Sequence, residues 1–455
     1  MKRNGLPKAV HGMPLRYLMV SGALLTCSMA AWSMDLLQAY EAAKTNDATI
    51  LESRATAQGG RERLPQARAQ LLPYLAFGAS RNRNNLSQTA PNILGQVQTT
   101  SSIYPSSNNT LTLRQSLFRP QQTAQYRQAK AQVDDAEATL EQDEQNLAVR
   151  VSGAYFEAML TREQLDLVLS QRAAYTTQLD AARKSLAGGS GTRTDVDDAQ
   201  ARLDMNAAVE IEARKNIDYT MRQLQVLVNQ PIDQLSMLDL SKFEPLDPQP
   251  NRVEDWYERA SQNSPQLASL KAQVEASRQE VDKARSGHYP TLDAVAQWSK
   301  SDSENILNIN SDYTNKSIGL QLNVPIYAGG YVNSTVRQAL AGQEKAEQAL
   351  EAGRRDLEMR VFKEFRGVVE NVPKISALEQ ALRSADQSVL SSKKSFQGGN
   401  RTIVDVMDAE QRRVLVLRDL AQARYLYLVS KVRLLALVGS ADVEAIASIN
   451  RVLQN

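Results

Sequence analysis

The chain has 455 residues, 53 bases against 51 acids, one cysteine and two histidines. A single cysteine forms no internal disulfide, so few Cys/His chemistries are open, and so neutral a chain offers no basic stripe to nucleic acid. The length allows several domains or one elongated one.

Lys2, Arg3, Lys8 and Arg16 surround a short apolar core at Tyr17–Thr26, and Ala31-Trp32-Ser33 follows as a cleavage site. Residues 1–33 therefore read as an export signal, too short in its apolar part to span a bilayer. Thr26 is a poor residue ahead of a lipidated cysteine, which leaves Cys27 a residue of the discarded peptide. Cleavage removes four bases, no acid, Cys27 and His11, so 49 bases face 51 acids, a net of −2, with His288 the one histidine. No thiolate nucleophile or Cys/His zinc set survives, and no cofactor, metal or nucleic-acid partner is expected. No mature apolar run reaches membrane-span length; the richest, Tyr425–Val438, is interrupted by Lys431 and Arg433. Only strands could cross a bilayer.

The mature chain is written twice. Leu36–Leu75 matches Val253–Leu292 at an offset of 217, and from Arg127 onward the offset is 210, with Gly188, Thr192, Asp195, Val196 and Asp198 recurring as Gly398, Thr402, Asp405, Val406 and Asp408. A fixed offset over such a length signals duplication. The first repeat spans about 34–230 and the second about 253–440, joined by a linker at about 231–252 marked by Pro231, Pro245, Pro248 and Pro250, with a tail at 441–455.

Each repeat opens with a helix, at about 36–72 and 253–288, stopped by Pro73 or Pro290. Strands follow at about 74–83 and 110–118, then at about 291–299 and 317–326. Leu75, Phe77 and Ala79 alternate with Ala76, Gly78 and Ser80, as Ile318, Leu320, Leu322, Val324 and Ile326 alternate with polar or small residues. Period two gives one apolar and one polar face. Asn84–Leu113 holds no charged residue and reads as a polar loop. Long helices at about 121–187 and 332–397 keep a seam of alternating three-and-four spacing, as in Leu140, Leu147, Val151, Ala154, Ala158, Leu165 and Val168. The glycine pairs Gly188-Gly189 and Gly398-Gly399 reverse the chain into helices at about 195–229 and 404–438. Two shorter helices set against one long one describe a tube wall.

Two strands per repeat make four per chain, too few for a membrane barrel, so membrane strands would require oligomerisation. Tyr74, Phe118, Tyr289, Trp298 and Tyr327 lie on or beside strand ends, where an aromatic girdle in contact with membrane lipid would sit.

The stretches LRQSLF (113–118), GHYPTLD (287–293), NVPIYAGGYVNSTVRQA (323–339) and RTIVDVMDA (401–409) resemble the TolC family of Gram-negative outer-membrane channel-tunnels, over nearly all of the mature chain. The resemblance implies a mainly α fold with membrane β: a duplicated unit of coiled-coil helices plus two strands. It implies a homotrimer with a 12-stranded β-barrel on an α-helical barrel. Its partners would be an inner-membrane ABC or proton-driven pump and a periplasmic adaptor, and its task export of proteins or drugs.

In that family pattern Asp405 and Asp408 match an acidic pore constriction, Arg401 a gate arginine tied to Asp195 and Thr194, and Phe396 the place of a family tyrosine, so its hydroxyl is absent here. Three such chains would turn the acids into rings whose crowding raises some of their pKa values. Read from the residues alone, the same acids are helix-start residues favoured by the dipole, worth about 0.3–1 kcal/mol each; Asp198 fits that reading. His288, in the turn GHYP, reads as structural. A periplasmic coiled-coil adaptor is the competing reading, and an enzyme a third, for which no nucleophile or metal set is present.

Overall fold

The computed structural model describes residues 33–303 and 311–453. The expected export signal, Ser33 excepted, lies outside them. Helices α1 (Leu36–Asn46), α2 (Ala48–Arg61) and α3 (Arg63–Ala69) lead into β1 (Tyr74–Pro91) and β2 (Val97–Phe118), then α4 (Pro120–Ala187) and α5 (Arg193–Val228). The second repeat runs α6 (Val253–Asn263), α7 (Pro265–Arg285), β3 (Thr291–Asp302), β4 (Asp312–Asn323), α8 (Tyr331–Gln397), α9 (Ile403–Leu437) and ends with α10 (Val443–Asn450).

The opening helices are not continuous. Asp47 leaves helical geometry at φ −65° and ψ 119°, and its side chain accepts from the Thr49 backbone amide at 2.6 Å to start α2. Ser264, its counterpart at offset 217, has φ −65° and ψ 121°, and Pro265 takes the first position of α7. An interruption that caps itself leaves the apolar spacing intact, so periodicity misses it. These helices also end at Ala69 and Arg285, short of Pro73 and Pro290; the chain tightens into a turn at 70–72 and a 3₁₀ turn at Ser286–His288 before Tyr289, the residue ahead of Pro290, goes extended at ψ 149°.

The four strands form one antiparallel sheet in the order β1-β2-β3-β4. Much of the expected polar loop is strand: β1 and β2 pair from Tyr74↔Arg114 to Pro91↔Val97, leaving a turn closed by Asn92. Beyond the apolar rows Leu86, Ile103 and Tyr104 are scattered among polar residues, so the alternation vanishes while Ser and Thr still pair, as Thr89 and Thr99 do at 2.8 Å. In turn β4 stops at Asn323, ahead of Pro325, so Val324 and Ile326 do not extend it.

Paired residues share a face. Leu75, Leu113, Ala296 and Ile318 form one row, and Phe77, Leu111, Trp298 and Lys316 a second. The other face carries Ala76, Thr112, Gln297 and Ser317. The apolar rows are uncovered: Ile318 is 87% exposed and Phe77 66%. No described helix is long and apolar enough to cross a membrane.

At 68 and 67 residues, α4 and α8 are each about 100 Å long. Helix α5 packs on α4 and α9 on α8, while α7 lies between the other ends of α4 and α8. The main core sits at mid-length, where Leu36, Leu147, Tyr155, Phe156, Leu224, Leu357 and Ile375 are almost fully buried. The expected linker and tail belong to this core. Ile232, Leu238, Phe243, Ile446 and Ile449 are buried there, Met34 pairs with Leu235, and Leu238 pairs with Leu453. The Tyr155 hydroxyl lies 3.0 Å from the Met34 carbonyl oxygen and 2.9 Å from that of Ser236. Burial pushes the Tyr155 phenol far above its usual range, so it is a neutral strap at every physiological pH.

Candidate functional site at the coil turns

Both turns are built alike. Gly189 and Gly399 take φ of +73° and +76°, the left-handed region that admits glycine without strain. The Ser190 amide donates to the Ser185 carbonyl and the Gly189 amide to that of Leu186; Asn400 and Gly399 repeat the pattern onto Ser395 and Phe396. These are Schellman endings. The first glycine of each pair differs from expectation: Gly188 and Gly398 have φ of −81° and −82°, so only the second member makes the reversal.

Three residues on, Thr192 and Thr402 cap the return helices. The Asp195 carboxylate accepts from the Thr192 amide at 3.0 Å and hydroxyl at 2.7 Å; that of Asp405 accepts from the same groups of Thr402, both at 2.9 Å. Each threonine hydroxyl faces the third helical amide in return, completing a capping box. The Thr402 backbone amide, then its hydroxyl, then Arg401 and Arg412 hold the Asp405 carboxyl below its usual range. Within one chain this is the opposite of the upward shift expected of crowded acids: the local donors stabilise the charged form.

The expected link from Arg401 to Asp195 and Thr194 is absent within the chain. Arg401 donates to the Ser392 hydroxyl at 3.3 Å, and Thr194 is exposed. Phe396 is half-buried, and Arg193 pairs with Asp197 at 3.2 Å.

A different residue joins the two return helices. Arg202 of α5 donates to the Asp408 carboxylate at 2.6 Å and to the Gln411 side chain at 3.3 Å. Beneath it Tyr175, Leu179, Ala199 and Met407 form a small separate core. Burial raises the Tyr175 phenol, with Arg202 hydrogen-bonded to it and pulling the other way. Sequence reasoning missed Arg202 and Tyr175. Arg202 does have a repeat counterpart in Arg412, but only the fold sets α5 beside α9.

The aromatic residues do not form one belt. Phe118 is on the apolar face opposite Leu292, and the exposed Tyr289 and Tyr327 flank the same, coil-side end of the sheet. Tyr74 pairs with Arg114 on the polar face, and Trp298 lies about 20 Å along β3 from Leu292 at about 3.3 Å per residue. Also unforeseen is Asp293, whose side chain is 4% exposed between Arg114 at 2.5 Å and Arg119 at 2.6 Å, tying the sheet to the start of α4. Among the described residues no cluster of His, Cys, Asp and Glu could hold a metal.

A family model described as "Outer membrane efflux protein" matches residues 39–230 and 256–440. The chain belongs to the outer membrane efflux protein family. It is 32% identical over 443 residues to the alkaline protease secretion protein AprF of Pseudomonas aeruginosa, covering 96% of this chain and 92% of that one. It is 29% identical over 436 residues to the outer membrane protein TolC of Vibrio cholerae, covering 95% and 97%. Its fold matches the crystal structure of the outer membrane protein VceC from Vibrio cholerae with a TM-score of 0.77 at 18% identity, over 89% of this chain and 96% of that one. The chain is an outer-membrane channel of the TolC type, its sheet in the outer membrane of a Gram-negative cell and its coils in the periplasm. None of these relatives is named as an enzyme.

Proposed function

We propose that three copies join edge to edge, β4 of one beside β1 of the next, into a 12-stranded barrel over a helical tunnel. The duct would dock on a periplasmic adaptor and an inner-membrane ABC or proton-driven pump, and serve as the exit for type I protein secretion or drug efflux. The observation that carries this reading is the open four-stranded sheet, with one apolar face uncovered and two free edges. In lipid each unpaired edge group costs several kcal/mol, and closure removes every edge. Four strands per chain reach a known barrel size only by association, since such barrels start at eight strands. The relative named for alkaline protease secretion supports the secretion branch.

At the coil turns Asp405 and Asp408 would ring the constriction of such a trimer. Arg401, itself exposed and held only by the long 3.3 Å bond to Ser392, would swing to reach Asp195 and Thr194 of a neighbouring coil. Phe396 would pack at that gate without a donor.

Mass measurement of the detergent-extracted chain tests the assembly. A heat-sensitive trimer is expected, and a monodisperse monomer overturns the barrel. Supplying the chain to cells lacking their own duct, with either a protease-secreting ABC pump or a drug pump, then separates the two exports by which cargo leaves.

A further inference from the structure

A groove of about 440 Å³ lies at the seam between sheet and coils, between the first turns of α4 and the end of α7. Arg119, Arg127 and Arg285 line it beside Phe118 and Tyr289, with Asp282 the one acid among its lining residues. Phe118 stands on the apolar face of the sheet, opposite Leu292, so the groove opens where that face ends. Six residues farther along β3, Trp298 and its partner Lys316 mark the other limit of the apolar rows, about 20 Å away. That height approaches the apolar band of a membrane barrel, which places the groove at headgroup level on the coil side.

The charge there is not balanced. Arg114 and Arg119 share the single carboxylate of Asp293. Arg127 is exposed and makes no ion pair among the described residues. Arg285 has only Asp282, at 3.7 Å, with both side chains more than half exposed. Within the groove's own lining, Arg119, Arg127 and Arg285 against Asp282 leave a surplus of two positive charges beside an aromatic wall. A guanidinium fork matches phosphate oxygens, and an aromatic ring packs on glycerol and the first acyl carbons.

We infer that this groove binds the phosphate headgroup of an anionic phospholipid from the coil-side leaflet, with Arg127 and Arg285 donating to the phosphate oxygens. A zwitterionic lipid carries the same phosphate but brings its own cation, so it gains less from the surplus charge. Free phosphate has nothing to place on Phe118 and Tyr289.

Native mass spectrometry of the delipidated full chain in detergent tests this, read as lipid bound per chain so that the number of copies does not matter. Phosphatidylglycerol should bind with phosphatidylcholine well behind it, and millimolar inorganic phosphate should not displace it. Arg127→Gln with Arg285→Gln should weaken phosphatidylglycerol roughly thirtyfold, since each base near a membrane surface is worth about fivefold in anionic-lipid binding. Arg193→Gln at the distant coil turn should change nothing. Equal binding of the two lipids, full displacement by phosphate, unchanged binding by the double variant, or an equal loss from Arg193→Gln would each overturn the inference. Thermal unfolding of the variants at the parent temperature confirms that the fold is kept.

Discussion

The two coil turns share one backbone machine and differ in the side chain just before the cap and in another one helical turn later. Each has a Schellman glycine, a threonine cap and a capping-box aspartate. The position of Arg401 in the second turn is Gly191 in the first, where an added Cβ would meet that of Ser185 at 2.9 Å. Asp408 is held by Arg202 while its counterpart Asp198 is exposed and makes no ion pair among the described residues. Duplication therefore supplied a folding element twice, and the side chains around it diverged. In the proposed duct, the second turn, with Arg401 and the Arg202–Asp408 bridge, would be where opening is controlled.

The largest effect is expected from removing that charge. Asp405→Asn with Asp408→Asn should weaken block by a trivalent cation at least tenfold in planar-bilayer conductance, because a carboxylate ring concentrates cations in a pore. Asparagine keeps the acceptor that Thr402 needs. Asp195→Asn with Asp198→Asn should alter block much less, and equal effects from the two pairs would erase the distinction between the turns.

A sharper version separates the two acids. Arg202 neutralises Asp408 in the single chain, so Asp405 carries more of the free charge. Asp405→Asn alone should then weaken block more than Asp408→Asn alone, and Arg202→Gln should strengthen it severalfold. Its stability cost should stay within about 0.2–1 kcal/mol, as for other partly exposed pairs. Weaker block in Arg202→Gln would show that the arginine positions the acid rather than cancels it.

Within each glycine pair the contrast is one of backbone. Gly399→Val places a β-branched residue at φ +76° and should cost about 1–3 kcal/mol. Gly398→Ala, at φ −82° with the nearest atom 3.6 Å from the added carbon, should be close to neutral. Thermal unfolding in detergent checks both, and similar losses would mean that both glycines make the turn.

How much of this was legible follows from what leaves a periodic trace. The duplication, the 68- and 67-residue helices, the apolar sheet face and the capping acids were all readable, because spacing records them. The breaks at Asp47 and Ser264 were not, since a self-capped interruption preserves spacing. Nor was the long polar hairpin, whose residues carry no apolar alternation. The proline-rich segment reads as a linker, yet Phe243 packs edge-on against Tyr427, ring centres 5.9 Å apart. The Arg202–Asp408 bridge joins residues 206 apart, and no local pattern predicts which of several arginines will meet which acid.

The smallest expected effect tests the divergence farther up the coils. Glu163 of α4 and Pro373 of α8 are counterparts at offset 210. Pro373 removes a helical hydrogen bond from α8, while α4 keeps its ladder but carries a carboxyl against the core. Burial raises the Glu163 pKa, with the Tyr425 hydroxyl and Arg424 opposing and Asp166 adding to the rise. The folded chain thus holds this proton more tightly than the unfolded one. Below the unfolded value of about 4.3 both states are protonated and the group is neutral to stability. As the pH rises through the folded value, the ionised form is disfavoured only in the folded state, and stability is lost. Glu163→Gln keeps the shape and cannot ionise. It should melt at or above the parent temperature at pH 8, with the difference shrinking to nothing as the pH falls toward 4. A variant that is less stable at pH 8 would show that the charged carboxylate holds Arg424 and Tyr425 in place, and that α4 depends on the very group its counterpart helix replaced with proline.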